Sequence, residues 1–203
     1  MKHQTVVYYT FCPRGEMTAG DYKKYQREIA DKMLALGFKT KFGIKFDLAY
    51  VKKGTHGKPF WAGEEKIYYN ISNTSGLVVC AMSDLETGVD AERVHPIKEP
   101  VMRRCCTEAE TAYIMGNSGE EQARERFFRL WTLKESFIKM IGQGMYFSMR
   151  EAEFSIQDTG KMQGIFCSQP GYFVQKRQNG YWIALCTQKE SEVLWRELKR
   201  EDL

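Results

Sequence analysis

Asn179-Gly180 stands between two β-type runs, Tyr172–Arg177 and Tyr181–Thr187. A two-residue type I′ turn needs positive φ at both central positions, and Asn-Gly is the pair that adopts it most readily. The two runs are therefore expected as antiparallel neighbours. Further strands are expected at Thr5–Phe11, Phe46–Val51, Ile67–Ile71, Leu77–Met82, Thr87–Glu92 and Glu153–Ile156. Only Ser83–Glu86 separates Leu77–Met82 from Thr87–Glu92, as in a meander. Helical spacing marks Thr18–Leu36, where Ile29, Met33 and Leu36 share a face and Gly37 is the expected stop. It also marks Thr107–Met115, Glu120–Ile141 and the C-terminal Glu190–Arg200. Each half of the chain reads as helix plus antiparallel sheet, so the expected fold is α+β in two similar subdomains. His95-Pro96 and Glu99-Pro100 interrupt the pattern, which puts the expected boundary between residues 1–94 and 95–203.

Several function classes fall away at this stage. The longest purely apolar run, Leu77–Met82, is six residues, far short of a membrane span. A net formal charge of +4 is too mild for a nucleic-acid binder and leaves room for an anionic ligand or acidic partner. The first residues carry no signal-peptide pattern, and the six cysteines, none spaced C-x-x-C, are expected as reduced thiols in a cytoplasmic protein. Phosphate-loop, dinucleotide-binding, nucleophile-elbow and H-E-x-x-H motifs are all absent. With three histidines, none beside a candidate nucleophile, a serine- or cysteine-type hydrolase has little support.

The acids are more informative. In Gly88-Val89-Asp90-Ala91-Glu92 the two carboxylates lie at i and i+2 on a strand and point to one face. Like charges held together are costly unless a cation lies between them, and Mg²⁺, which bridges carboxylates to substrate phosphates, suits the pair. A solvated strand end explains the same residues more blandly. Downstream, Trp131, Glu135 and Lys139 recur at four-residue steps and share a helix face. Glu135 is then a third metal oxygen and Lys139 a phosphate contact, or the two are a surface ion pair worth about 0.2–0.5 kcal/mol. Thr107-Glu108-Ala109-Glu110 fits a capping box, and Glu110 reads equally as a cap or as a general base.

Four ordered blocks carry a family resemblance: Gly57-Lys58-Pro59, Tyr69-Asn70-Ile71-Ser72-Asn73-Thr74, Gly88-Val89-Asp90-Ala91-Glu92 and Trp131-Thr132-Leu133-Lys134-Glu135-Ser136-Phe137-Ile138-Lys139. Together they resemble the 4′-phosphopantetheinyl transferase superfamily, of the surfactin-synthetase-activating type. The resemblance implies two similar α+β subdomains in a pseudo-twofold arrangement, each an antiparallel sheet with packed helices, and the site between them. It implies transfer of 4′-phosphopantetheine from coenzyme A to a serine of an apo acyl, peptidyl or aryl carrier protein, with release of adenosine 3′,5′-bisphosphate. Carried over by position, Asp90, Glu92 and Glu135 bind Mg²⁺, with Mn²⁺ as the alternative metal. Glu110 deprotonates the carrier serine, and Lys139 and Lys134 neutralise the pyrophosphate. Lys58, Ser72, Asn73 and Arg27 are the expected coenzyme contacts, in a monomer that needs neither nucleic acid nor membrane. Asn73 stands where the family usually has histidine, and an amide donates hydrogen bonds without becoming cationic. Lys23, Lys24 and Arg27 read more readily as the solvated face of the first helix than as phosphate contacts. A degenerate member that binds coenzyme A or a carrier without transfer, and an unrelated Mg²⁺ phosphohydrolase, are the competing readings.

Overall fold

The computed structural model describes residues 3–116, 119–158 and 163–203. The strands are β1 (Gln4–Cys12), β2 (Val51–Lys53), β3 (Pro59–Trp61), β4 (Tyr68–Thr74), β5 (Gly76–Ser83), β6 (Thr87–Arg93), β7 (Phe154–Asp158), β8 (Gln163–Cys167), β9 (Tyr172–Gln178), β10 (Tyr181–Thr187) and β11 (Glu192–Glu197). The helices are α1 (Ala19–Gly37), α2 (Glu99–Cys105), α3 (Glu108–Met115) and α4 (Glu120–Ile141). One sheet runs β11-β1-β5-β4 and a second runs β6-β10-β9. Two short hairpins, β2-β3 and β7-β8, lie outside them.

Alternation along the strands builds the layers. Val6, Tyr8, Val78, Cys80 and Met82 point to one side of the first sheet and pack against Ile29, Met33 and Leu34 of α1. Their neighbours Val7, Tyr9, Leu77, Val79 and Ala81 point to the other side and meet Val89, Ala91, Ile183 and Leu185 of the second sheet. The far side of the second sheet carries Ala184 and Cys186 into α4. The order is thus helix, sheet, sheet, helix, with both faces of β5 and β10 buried, which is why those strands read as continuous apolar runs. Among the described residues no helix is long and apolar enough to cross a membrane.

The α+β expectation holds, and so do several elements in detail. Glu120–Ile141 and Tyr181–Thr187 have the expected limits, and Asn179 (φ 46°) and Gly180 (φ 84°) make the left-handed turn between β9 and β10.

Four expectations are corrected. The meander ends at β5, because β6 leaves the first sheet and pairs antiparallel with β10. The C-terminal segment is a strand, not a helix: β11 runs parallel to β1, with Val193 and Trp195 facing the inter-sheet core and Leu194 the α1 core. The division at residue 94 therefore does not follow the sheets, since β6 belongs with the second and β11 with the first. The segment around Pro100 is helical, proline being tolerated in a first turn where its missing N–H has no partner to lose.

Gly37 also acts differently from expectation. The chain continues through a π-helical turn at Phe38–Phe42 and reaches a left-handed residue only at Gly43 (φ 70°). What Gly37 provides is room, because a Cβ there would run into Met82 and Tyr8. Phe46–Val51, expected as a strand, is mostly a 3₁₀ turn, Leu48–Tyr50, that leads into β2. Asp47 caps that turn by accepting from Ala49 N at 2.9 Å.

Candidate active site

The site is made where β4, β6 and α4 meet. Gly88, Asp90 and Glu92 occupy one face of β6, while Val89 and Ala91 enter the inter-sheet core. A Cβ at Gly88 would collide with Ser136 O and Met140 N of α4. The glycine therefore lets the helix backbone lie directly on the strand, and two residues further on Asp90 meets Lys139. Lys139 Nζ donates to Asp90 Oδ1 at 2.6 Å and to Ser72 Oγ at 3.0 Å. Ser72 Oγ in turn donates to Asp90 Oδ1 at 2.9 Å.

Alternate residues of β4 join the two sheets through side chains. Asn70 Oδ1 accepts from Val89 N at 2.9 Å, Ser72 Oγ accepts from Ala91 N at 3.3 Å, and Thr74 Oγ1 donates to Glu92 Oε2 at 2.9 Å. Asn70 and Thr74 were not singled out from the sequence. Their signal was present in the two-residue spacing Asn70, Ser72, Thr74, which places all three on one strand face.

Three acids, Asp90, Glu92 and Glu135, lie close enough here for their charges to act on one another. Burial, reinforced by the neighbouring Asp90 and Glu92 charges and opposed by Lys139, pushes the Glu135 carboxyl up to about 7. Burial and Asp90 likewise raise Glu92, against the pull of Thr74, Lys139 and His95. Asp90 Oδ2 is buried without a hydrogen-bond partner. An orphaned carboxylate oxygen costs about 1–3 kcal/mol or more, and with two further acids whose charged forms are disfavoured it makes a site that a cation would relieve. Among the described residues no three ligand-type side chains form a ready-made cage. A cation held here would therefore need oxygen ligands from a substrate as well as from these acids.

Glu135 and Lys139, with Trp131 one turn earlier, line a cleft of about 1020 Å³ that also receives Lys58, Asn70 and Tyr146. The expected shared helix face is therefore the cleft wall. Lys58 is more constrained than a free phosphate contact. Its Nζ donates to Met140 O at 2.7 Å and to Thr87 O at 3.1 Å, and burial lowers its pKa. It ties the C-terminal turn of α4 to β6.

Four other expected residues lie apart from the acids. Glu110 and Lys134 form an ion pair at 2.8 Å with both side chains fully buried. Glu110 Oε2 accepts from Thr107 N in a capping box, and Oε1 accepts from Phe154 N, each at 2.8 Å. Lys134 Nζ also donates to Met149 O at 2.8 Å and Ala152 O at 2.7 Å. The base role for Glu110 and the pyrophosphate role for Lys134 are thus corrected, because every polar atom of the pair is engaged away from solvent. Asn73 is exposed and donates to Gln26 Oε1 at 3.3 Å, behind the strand that carries Ser72. Arg27 is on the exposed face of α1, beside Asp31, and does not line the cleft.

The sequence profile of the 4′-phosphopantetheinyl transferase superfamily matches residues 86–186, the half of the chain that carries Asp90, Glu92, Glu135 and Lys139. The chain belongs to this superfamily. Among phosphopantetheinyl transferases, gsp of Aneurinibacillus migulanus is 39% identical over 95 residues, 47% of this chain and 39% of that protein. Sfp of Bacillus subtilis (strain 168) is 28% identical over 107 residues, 53% of this chain and 47% of that protein. The L-aminoadipate-semialdehyde dehydrogenase-phosphopantetheinyl transferase of Xenopus laevis is 32% identical, covering 57% of this chain and 43% of that one. The matched stretch thus spans less than half of each of these three relatives. A solved holo-[acyl-carrier-protein] synthase of Thermotoga maritima overlaps with a TM-score of 0.40 at 19% identity, over 50% of this chain and 61% of that chain, too loosely to bear on the fold.

Proposed function

We propose that this superfamily member transfers the 4′-phosphopantetheine group of coenzyme A to a serine hydroxyl of an apo acyl, peptidyl or aryl carrier protein. The observation that carries the reading is the partnerless buried oxygen of Asp90, set beside Lys139 and Glu135 on the wall of the cleft. In the transfer the serine Oγ bonds to the β-phosphorus of coenzyme A. The bond from that phosphorus to the bridging pyrophosphate oxygen breaks, and adenosine 3′,5′-bisphosphate leaves.

Asp90, Glu92 and Glu135 would hold Mg²⁺, or Mn²⁺ in its place. When bound, the metal supplies electrostatic stabilisation of the charge that grows on the phosphoryl oxygens. Lys139, already drawn into the site by Asp90 and Ser72, is placed to neutralise the pyrophosphate. Lys58 holds the floor of the cleft by fixing the end of α4. With Glu110 sealed in its ion pair, Glu135, which borders the cleft, is kept as a metal ligand, and its raised pKa describes the site without the cation. The mild positive charge favours encounter with acidic carriers. A monomer in the cytoplasm completes the reading.

The test is intact-protein mass spectrometry of a panel of apo-carriers with coenzyme A and Mg²⁺. The expected result is a gain of one phosphopantetheinyl group on serine with the wild type, and none with Asp90→Ala or Glu135→Ala. No gain on any carrier, with coenzyme A binding intact by calorimetry, would overturn transfer in favour of binding alone.

A further inference from the structure

Cys105 and Cys106 are the two thiols that touch each other among the described residues, with Sγ atoms 3.7 Å apart. They occupy the joint between two helices: Cys105 is the last residue of α2, Cys106 is its C-cap, and Thr107 is the N-cap of α3. Both are buried, and Cys105 is the member of the pair that belongs to the cleft wall, next to Val101 and Arg104 of the same helix. The reaction proposed above has no use for it. From this geometry we infer that Cys105 and Cys106 are a redox modification site, closed to a vicinal disulfide by a low-molecular-weight disulfide that enters through the cleft.

The exchange balances without any other reagent. The Cys105 thiolate attacks one sulfur of the incoming disulfide and expels one small thiol, leaving a mixed disulfide. The Cys106 sulfur then attacks the Cys105 sulfur, forming the Cys105–Cys106 bond and expelling the second small thiol. The two cysteine protons end on the two released thiols. The order follows from position. Cys105 is the residue on the cleft wall and so the one an incoming disulfide meets first, and the contact between the sulfurs lowers its pKa while raising that of Cys106.

The other thiols lack this combination. Cys12, Cys80 and Cys186 have no exposure, and burial raises the pKa of each. Cys167 is half-buried and accepts from the Gln169 backbone, and among the described residues no second thiol is in contact with it.

The product is expected to be labile and to disturb the site. Adjacent residues hold their Cα atoms about 3.8 Å apart across a trans peptide, below the usual disulfide range of about 4.4–6.8 Å. A strained disulfide is easily reduced again, which is the property of switches rather than of structural staples. Drawing the sulfurs from 3.7 Å to about 2.05 Å turns the peptide between them. That peptide joins the last turn of α2, which carries Val101 and Arg104 on the cleft, to the Thr107 N–H that Glu110 accepts.

The experiment incubates the full chain with oxidised glutathione at graded ratios to the reduced form, blocks free thiols and maps tryptic peptides. Cleavage after Arg104 and Arg124 releases Cys105 and Cys106 in one peptide. The expected result is loss of two hydrogens in that peptide, reversed by reductant and absent in Cys106→Ser, which stops at the glutathione adduct. Oxidation confined to Cys167, or a Cys105–Cys106 peptide that stays reduced until the chain unfolds, would overturn the proposal. The consequence for the cleft rests on the transferase reading. There the oxidised chain is expected to lose about tenfold or more in transfer rate, as a shift of order 1 Å in a positioning wall can do, with recovery on reduction. A chain inactive even when reduced counts against the transferase reading alone, because the peptide map decides the disulfide independently.

Discussion

Replacing Lys134 with methionine isolates the buried pair that joins α3 to α4. The substitution keeps most of the side-chain volume and removes the ammonium that contacts Glu110 Oε1, Met149 O and Ala152 O, all within 2.8 Å. Glu110 is left at 1% exposure with a charge that only two backbone N–H groups offset. Breaking a buried pair from one side costs about 3–5 kcal/mol, because the surviving charge has lost both water and partner. For a chain of this size that corresponds to a fall in Tm of roughly 6–20 °C. In the double variant Glu110→Gln/Lys134→Met no charge remains to strand, so it is expected to recover about half or more of that loss. Urea unfolding of the wild type, both single variants and the double variant gives the coupling directly. A cost below about 1 kcal/mol for Lys134→Met, or a double variant less stable than Lys134→Met alone, would refute the claim that the pair is sealed. The same set separates clamp from catalyst. Loss of a general base costs about 10²–10⁴ in rate, whereas Glu110→Gln, measured per folded molecule, is expected to lose less than about tenfold.

Three shorter predictions follow from the acids and the glycine. Without metal, the raised Glu135 pKa means that the folded chain holds its proton more tightly than the unfolded chain, so stability falls as pH rises from about 4.5 towards about 7. Glu135→Gln is therefore expected to be more stable than wild type at pH 8 and to lose that advantage at pH 4, as read by thermal melts at both pH values; equal differences at both would exclude the assignment. Mg²⁺ is expected to raise the Tm of wild type and to leave that of Asp90→Asn unmoved, since the orphaned Oδ2 is where the cation is drawn; a shift of equal size in both would place binding elsewhere. Gly88→Ala is expected to cost about 1–3 kcal/mol or more by forcing β6 from the α4 backbone, and to weaken coenzyme A binding through the displaced Asp90–Lys139 contact. Calorimetry showing unchanged binding in a folded Gly88→Ala variant would break that link.

Much of the site was legible because short-range geometry fixes it. Two-residue spacing puts Asp90 and Glu92 on one strand face, and four-residue spacing puts Trp131, Glu135 and Lys139 on one helix face, whatever surrounds them. The turn at Asn179-Gly180 and the capping box at Thr107 were readable for the same reason. Glu110 shows where such reasoning stops. Its capping role is local and was visible, but its two further partners, Lys134 and Phe154 N, lie 24 and 44 residues away, and they decide whether it is a free base or a sealed clamp.

The sequence by itself determined the helix and strand periods, the shared faces of the acids and the family. The tertiary structure alone decided that β6 crosses into the second sheet, that the Glu192–Glu197 segment extends beside β1 rather than coiling, and which lysine meets which acid. The physical reason is the range of the forces involved. Propensity and periodicity act within a few residues, whereas the open edge of β1, the close approach allowed by Gly88 and the stranded oxygen of Asp90 come into being only when distant segments are packed together.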